Sequence, residues 1–270
     1  MTKALPIGLF DSGVGGLTVL REVARQLPQE STVYFGDTAR VPYGSKSRDV
    51  ISRFSLEIAQ FLLQEKVKMI VVACNTASAF ALASLRARFD VPMIGVIEPG
   101  AQAALSMTKS GRVGVIGTEG TIESQAYSEA IHRLKADIQV FGQACPLIVP
   151  LVEEGWLEKP IALEIVKEYL IPLLANQIDT LVLGCTHYPL LKDLLTSVSG
   201  PDVHLIDSAE ETARTVGRQL KELHLEAPAG APVLRRFFVS DAPEKFEKVG
   251  QRFLGQAIPG VKRVDISQWL

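Results

Sequence analysis

The chain alternates short apolar runs, rich in β-branched residues, with longer segments that have the residue spacing of a helix face. Such alternation is typical of βαβ units, in which helices connect parallel strands. In the first unit, residues 5–10 are apolar, DSGVGG follows at 11–16, and Leu17, Leu20, Ala24 and Leu27 share one helix face. The sequence therefore predicts an α/β fold with mostly parallel sheets flanked by helices. The predicted strands are residues 5–10, 32–35, 69–73, 92–96, 112–116, 138–141 and 180–183.

The same series of elements begins again at residue 112, which indicates an internal duplication. Matching residues stand 106 apart in the first two strands and 111 apart in the third. The pairs are Gly8 with Gly114, Phe35-Gly36 with Phe141-Gly142, and Cys74 with Cys185. We therefore expect two similar lobes related by a pseudo-twofold axis, with the active site between them. The first lobe comprises residues 1–97 plus 208–270, and the second comprises residues 98–207.

The segment after Asp207 matches neither copy of the repeat. SAEE at 208–211 has the capping-box pattern that begins a helix. Pro228, Gly230 and Pro232 predict a loop, and residues 236–239 predict a further strand. We expect this tail to pack back on the first lobe.

The amino-acid composition argues against several classes of function. Hydrophobic residues make up 47% of the chain, charged residues 21%, and the net charge is -2, which argues against disorder and against binding to nucleic acid. The N-terminal segment lacks the pattern of a signal peptide, and no apolar stretch approaches the roughly 20 residues of a membrane span. We expect a cytoplasmic protein with a small-molecule substrate, no membrane association, and three reduced cysteines.

Two cysteines occupy matching positions in the repeat. VVACNT at 71–76 and VLGCTH at 182–187 each end an apolar strand with a cysteine, followed by residues suited to the N-cap of a helix: Asn75 or Thr76 in the first copy, Thr186 in the second. Open α/β sheets bind ligands at the carboxyl ends of their strands. A thiol there lies near the positive end of a helix dipole, which favours the thiolate. Cys74 and Cys185 are therefore predicted to be reactive.

A single cysteine after an apolar strand is more often a small core residue. Its recurrence in both lobes favours a functional interpretation, whereas Cys145 has no counterpart and is predicted to be structural. Two thiols that face each other suit inversion at a carbon stereocentre. A thiolate removes a proton from one face, a thiol delivers one to the other, and preorganised donors stabilise the carbanion.

Other polar residues lie where they could support this chemistry. Asp11 and His187 could act as acid–base groups, although an aspartate in a turn and a histidine near a helix start are also common structural residues. Ser12 and the amides of residues 13–16 could cradle an anion, although glycine-rich turns often serve only backbone geometry. VPYG at 41–44, with the Tyr43 hydroxyl, is either a binding loop or a plain turn.

Four motifs occur in order over most of the chain: GLFDSGVGGLT at 8–18, VPYG at 41–44, ACNTA at 73–77 and LGCTHYP at 183–189. Together they resemble the bacterial glutamate racemases of the aspartate/glutamate racemase family. The resemblance implies interconversion of L- and D-glutamate by a homodimer, with D-glutamate supplied to peptidoglycan synthesis. It also implies that no pyridoxal phosphate, metal or nucleotide takes part.

The resemblance assigns the catalytic pair to Cys74 and Cys185 and the auxiliary acid–base groups to Asp11, Glu153 and His187. Without it, Glu153 is an ordinary exposed carboxylate beside Glu154. The family further suggests that Cys74 deprotonates D-glutamate and Cys185 L-glutamate. The implied substrate contacts are Asp11, Ser12, Tyr43, Gly44, Asn75, Thr76, Thr118, Thr186 and His187.

Three alternatives remain. A dinucleotide-binding enzyme fits poorly because residues 13–18 lack the third glycine of G-x-G-x-x-G. A redox or binding protein would use Cys74 and Cys185 as a switchable disulfide. A related racemase would act on another acidic amino acid such as aspartate with the same thiol chemistry.

Overall fold

The computed structural model describes residues 2–266, and over that range the chain forms two wholly parallel sheets flanked by helices. The strands are β1 (Ile7–Asp11), β2 (Thr32–Gly36), β3 (Met69–Val72), β4 (Met93–Gly95), β5 (Arg112–Gly117), β6 (Gln139–Ala144), β7 (Thr180–Gly184), β8 (His204–Asp207), β9 (Arg235–Val239) and β10 (Lys262–Arg263). The predicted α/β class is confirmed, and each predicted strand is present to within three residues at its ends.

Helices connect the strands, as the periodic segments predict. They are α1 (Leu17–Gln26), α2 (Arg48–Gln64), α3 (Asn75–Arg88), α4 (Ile97–Met107), α5 (Glu119–Glu123), α6 (Ala126–Leu134), α7 (Ile148–Glu153), α8 (Pro160–Ala175), α9 (Lys192–Ser199), α10 (Ser208–Glu222) and α11 (Pro243–Leu254), with 3-10 turns at Thr2–Ala4 and Tyr188–Leu191. None of the helices between residues 2 and 266 is long and apolar enough to cross a membrane.

The two sheets repeat one strand order. The first runs β10-β9-β2-β1-β3-β4 and the second β6-β5-β7-β8, so β6-β5-β7-β8 follows the order of β2-β1-β3-β4. Gly8 pairs with Ile70, and its counterpart Gly114 pairs with Leu181. Ile70 and Leu181 are 111 residues apart, the same separation as Cys74 and Cys185. Cys74 and Cys185 therefore end equivalent strands.

One of the sequence matches is not a structural equivalence. Phe35 pairs with Phe10 on the neighbouring strand, whereas Phe141 pairs with Gly114, the counterpart of Gly8. Strand β6 is thus shifted by two residues relative to the alignment. The structural counterpart of Phe35 is Gln143, which pairs with Ile116. The match of the Phe-Gly dipeptides was fortuitous.

The tail extends the first sheet. Strand β9 pairs with β2 and β10 with β9, while α10 packs on α1 and α4, and α11 packs on α1. The capping box at Ser208 is wrong in detail: Asp207 is the N-cap, its carboxylate accepts from the Ala209 amide at 2.9 Å, and the Ser208 hydroxyl donates to Leu183 O. We propose that the lobes divide as the sequence predicts, at 97–98 and 207–208. Residues 1 and 267–270 of that division lie outside the described residues.

Alternate residues of the first sheet face two apolar clusters. Leu9, Tyr34 and Val71 belong to a cluster that continues through the second lobe, whereas Phe10, Phe35 and Ile70 face a second cluster against α2 and α3. This is the period of two expected of strands covered on both faces. The first cluster packs the two lobes against each other, and the loops at the strand ends build the site.

Candidate active site

The strand order leaves a crevice at the carboxyl edge of each sheet. In the first sheet the chain passes from β1 to β2 on one side and then to β3 on the other. Loops that leave neighbouring strands in opposite directions separate, which is where open α/β sheets bind ligands. Asp11 ends β1 and Cys74 follows β3 by two residues; in the second sheet Thr118 follows β5 and Cys185 follows β7.

The loops from both lobes meet at one cavity. Both thiols contribute to its wall, and both are free and buried. Each predicted site residue except Glu153 lines the cavity, and Pro42 and Val149 line it as well. The lining is Asp11, Ser12, Pro42, Tyr43, Gly44, Cys74, Asn75, Thr76, Thr118, Val149, Cys185, Thr186 and His187.

Cys74 caps helix α3 itself. Its backbone is extended, α3 begins at the next residue, and its Sγ accepts from the Ala77 amide at 3.5 Å. The prediction that Asn75 or Thr76 is the N-cap is therefore wrong, because both lie in the first turn of the helix. The Cys74 thiol donates to Ser12 Oγ at 3.9 Å, so its neighbours come from the β1 loop and its own helix.

Burial raises the pKa of Cys74 to about 12, and the nearby carboxylate of Asp11 adds to the effect. The Ala77 amide and the Ser12 hydroxyl lower it only in part. The expectation that the helix terminus makes Cys74 a thiolate is wrong, since desolvation of the charged form exceeds the stabilisation from one amide and the helix dipole. Cys74 is a thiol at neutral pH.

Cys185 lies at the end of a short acid–base chain. His187 Nδ1 is 3.8 Å from Cys185 Sγ, and His187 Nε2 is 3.0 Å from Glu153 Oε1. Burial opposes charge on His187, but its hydrogen bonds to Cys185 and Glu153 outweigh burial and raise its pKa to about 10. Burial likewise opposes charge on Glu153, yet His187 holds the pKa of Glu153 below its ordinary value. His187 is therefore a cation at neutral pH.

The chain after Cys185 differs from the chain after Cys74. No α-helix begins at Thr186; a 3-10 turn begins at Tyr188 with His187 as its N-cap, and α9 begins only at Lys192. The predicted N-cap role of Thr186 is wrong. Its Oγ1 instead lies 3.5 Å from His187 Nδ1, so the two cysteines have equivalent strands but different surroundings.

Asp11 has one oxygen in use and one without a partner. Its Oδ1 accepts from the Gly13 amide at 2.9 Å, while Oδ2 is buried with no hydrogen-bond partner among the described residues. Burial raises the pKa of Asp11, and the charge on His187 and the Gly13 amide lower it in part.

The glycines after Asp11 permit close packing between the lobes. A Cβ at Gly15 would lie 2.2 Å from Thr186 Oγ1, and one at Gly16 would lie 2.5 Å from Asp11 Cβ. The Thr18 hydroxyl lies 2.9 Å from Gly15 O and 3.0 Å from Thr186 O, across the same contact. The glycines of the turn therefore allow its backbone to lie close to Thr186. The space that a pyrophosphate would need beside Gly15 is filled by protein.

Asn75 and three threonines join the lobes at the opposite wall. Asn75 Oδ1 accepts from the Tyr127 hydroxyl of α6 at 2.8 Å, whereas Asn75 Nδ2 is buried with no partner within residues 2–266. The hydroxyls of Thr76, Thr118 and Thr121 lie 2.9 to 3.1 Å from one another. This wall presents an amide donor and hydroxyl groups to the cavity.

The VPYG loop is fixed by contacts on both sides. The Tyr43 hydroxyl donates to Asp37 Oδ2, so its ring lines the cavity while its proton is held by a buried carboxylate. Gly44 O accepts from the Gly120 amide at 2.9 Å, and a Cβ at Gly44 would lie 2.7 Å from Thr118 Cβ. Glycine is required here for the first lobe to approach the second.

The family model of Asp/Glu/hydantoin racemases matches residues 7–216. The chain belongs to this racemase family. It is 52% identical over 261 residues to the glutamate racemase of Syntrophus aciditrophicus, with 97% of each chain covered. The structure of a glutamate racemase isoform from Bacillus anthracis superposes with a TM-score of 0.93 at 45% identity, with 97% of each chain covered. The structure of the Francisella tularensis glutamate racemase in complex with D-glutamate also superposes with a TM-score of 0.93. The two chains are 38% identical, with 99% of this chain and 100% of the other covered.

Membership of the racemase family makes the chain an isomerase of the glutamate racemase type. Several residues that shape this site carry no signal in the sequence. Tyr127 fixes Asn75 from 52 positions away, Asp37 fixes Tyr43, and Val149 of α7 lines the cavity. None of the three belongs to one of the four motifs. Pro42 lies inside the VPYG motif and was within reach of sequence reasoning.

Proposed function

We propose that the chain interconverts L- and D-glutamate by proton transfer at the α-carbon between Cys74 and Cys185. The observation that carries the proposal is that these cysteines end equivalent strands of the two sheets and line one cavity. The similarity to glutamate racemases over nearly the whole chain supports glutamate as the substrate. A racemase of aspartate remains the second candidate, since the thiol chemistry would be the same.

In the L-to-D direction, the Cys185 thiolate takes the α-proton and becomes a thiol. The electron pair left on the α-carbon then takes the proton of Cys74, which becomes the thiolate, and the stereocentre is inverted. The high pKa of Cys74 suits the L-to-D direction, because Cys74 is then a thiol at neutral pH and can donate its proton. In the D-to-L direction the two cysteines exchange roles.

The neighbouring acid–base groups assist one thiol each. The His187 cation, fixed by Glu153, lies 3.8 Å from Cys185 Sγ and attracts an anionic sulphur. Asp11 and Ser12 flank Cys74, and the Asp11 carboxylate favours the protonated thiol. His187 and Asp11 also exchange protons with their respective thiols when the enzyme returns to its starting state.

Two of the buried atoms that lack a partner among the described residues belong to the cavity lining, and they suit the charged groups of an amino acid. Asp11 Oδ2 is an acceptor for the α-ammonium group, and Asn75 Nδ2 is a donor for a carboxylate. We assign further carboxylate contacts to the hydroxyls of Thr76 and Thr118. Ser12, Tyr43, Gly44, Thr186 and His187 complete the substrate-binding wall.

The wider role rests on the family. D-Glutamate made by this reaction would supply peptidoglycan synthesis in the cytoplasm, and we propose that the working form is a homodimer. The chemistry assigned to the thiols requires no cofactor, because both proton donor and acceptor are side chains.

The test is turnover of each glutamate enantiomer in deuterated water. Deuterium is expected at the α-carbon of the product, and Cys74→Ala and Cys185→Ala are each expected to lower racemisation by at least roughly 10³-fold. Cys145→Ala is the matched control and should remain active, because Cys145 Sγ donates to Gln143 O away from the cavity lining. Undiminished racemisation in either active-site variant would rule out the two-thiol mechanism. Parallel assays with aspartate decide between the two candidate substrates.

A further inference from the structure

Helix α11 reaches the Cys185 half of the site from the tail of the chain. It packs on α1 beside the first sheet, yet its residues contact α7 and His187 of the second lobe. It also lies beyond residues 7–216, the part of the chain that matches the family model. Its contacts fall on the two elements that hold the acid–base chain of Cys185.

The first contact is made by Arg252. Its Nη1 donates to Val152 O at 3.2 Å, and Val152 directly precedes Glu153 at the end of α7. The chain then turns at Gly155, which has a φ of +74°, and a Cβ there would lie 2.4 Å from Arg252 Nη1. The end of α7 is therefore shaped to receive this guanidinium group.

The second contact is made by the next residue, Phe253. Its ring is fully buried and meets the His187 ring edge to face, with centroids 5.0 Å apart and an interplanar angle of 81°. Phe253 O accepts from Arg21 Nη1 of α1 at 3.2 Å, which ties the end of α11 to the first lobe. Adjacent residues of one helix thus contact both the segment that carries Glu153 and the ring of His187.

We propose that Arg252 and Phe253 are positioning residues that hold Glu153 and His187 in line with Cys185, so that these two residues support the proton transfer at Cys185 and not the one at Cys74. The inference rests on the proposed function. The contacts of Cys74 come instead from Ser12 and the Ala77 amide. Lys245, on the same helix, adds a positive charge that, with the larger effect of His187, keeps the pKa of Glu153 low.

The test compares Arg252→Met with the unaltered chain, using α-deuterated L- and D-glutamate. The enantiomers have equal free energies in water, so kcat/KM must fall by the same factor in both directions, which we expect to be roughly 10- to 100-fold. The isotope effects on kcat/KM separate the two transfers. If proton transfer at Cys185 is slowed, the isotope effect should rise for L-glutamate, which Cys185 deprotonates. It should fall for D-glutamate, because protonation by Cys185 then limits the rate.

Three further variants make the test specific. Arg252→Lys, which keeps a cationic donor, should recover part of the activity and of the original isotope effects. Phe253→Leu keeps an apolar side chain in the core and removes the ring contact with His187. It should shift the isotope effects as Arg252→Met does, which covers the case in which Arg252→Met fails to fold. Lys248→Met removes an exposed cation from the same helix and should change neither quantity. Thermal unfolding of each variant checks that it is folded.

Two outcomes are decisive. Suppose that kcat/KM falls while the isotope effects stay unchanged, or that they fall for L-glutamate and rise for D-glutamate. Either result would overturn this inference but not the proposed function, since a general loosening of the fold has no preference for one thiol. Failure of the unaltered chain to racemise glutamate would overturn the proposed function, and the inference with it.

Discussion

His187 is a cation in a buried position. Its side chain is 7% exposed, and it is held between the Glu153 carboxylate and the Cys185 sulphur. Desolvation alone would remove the charge, so the charge depends on these two contacts. The same contacts that prepare Cys185 for the proposed proton transfer also contribute to folding.

This linkage predicts a pH dependence of stability. The pKa of His187 is about 10 in the fold against 6.5 ordinarily, so its contribution is fully present below pH 6.5 and is lost as the pH rises towards 10. The difference in unfolding free energy between the unaltered chain and His187→Asn should therefore shrink by roughly 1.5–3 kcal/mol over that interval, the value of a charge-assisted hydrogen bond. Urea titrations at several pH values measure it, with exposed His204→Asn as control. A difference that grows with pH would contradict the assignment of charge.

At the scale of residues, the sequence located the two cysteines because each follows an apolar strand in a repeated pattern. The sequence does not mark Glu153 without the family resemblance. The hydrogen bond that places Glu153 in the site joins it to His187, 34 positions away. The thiolate prediction for Cys74 failed for a related reason. Burial, which decides the pKa of Cys74, depends on packing with residues distant in the chain and has no local signal.

Among the elements, the turn between β1 and α1 is the one that most restricts its neighbours. Gly15 lies where a side chain would meet Thr186 and His187, at 2.2 and 2.5 Å from their nearest atoms. Thr186 cannot move freely relative to Gly15, because Thr186 O and Gly15 O both lie within hydrogen-bond distance of the Thr18 hydroxyl.

Gly15→Ala should therefore push His187 away from Cys185 or separate the lobes. We expect kcat/KM to fall roughly 100-fold and stability to fall by about 1–3 kcal/mol, as for other overpacked sites. Racemisation assays and thermal unfolding measure the two effects. Gly217→Ala is the matched control in helix α10, where the added Cβ would meet only Leu27, at 3.1 Å or more, and where alanine favours the helix. Normal activity of Gly15→Ala would show that the turn can relax.

The sequence predicts strands and helices that have a strong apolar pattern. It does not predict polar edge strands or the first residues of helices. Strand β8 was missed because its first residue, His204, is exposed and polar, and because it belongs to the edge of the second sheet. The helix starts at Cys74 and Asp207 were each placed one or more residues late. Cysteine is an uncommon N-cap, and Ser208 fits the capping pattern but bonds to a strand instead.

In the whole molecule, the two sheets differ in how their equivalent edges are covered. Strand β2 is buried along its length and is covered by β9 of the tail, whereas its counterpart β6 is an edge strand with exposed positions at Gln139 and Gly142. An uncovered strand of buried, apolar residues offers free backbone groups to other chains.

A chain shortened after Glu226 should therefore expose β2 and self-associate. We expect it to aggregate at concentrations at which the full chain stays dispersed, since β9 and its pairing along β2 are lost. Light scattering on both chains under identical refolding conditions is the measurement. A shortened chain that remains dispersed and folded would show that β2 needs no cover.

The repeated strand order has a consequence for the origin of the fold. Each sheet ends in one thiol, so a protein of half this length would have carried a single acid–base group and could have inverted a stereocentre only by pairing with a second copy of itself. With both thiols in one chain, the two halves need not stay identical. The 3-10 turn after Cys185, the helix after Cys74 and the tail on one sheet alone are such differences.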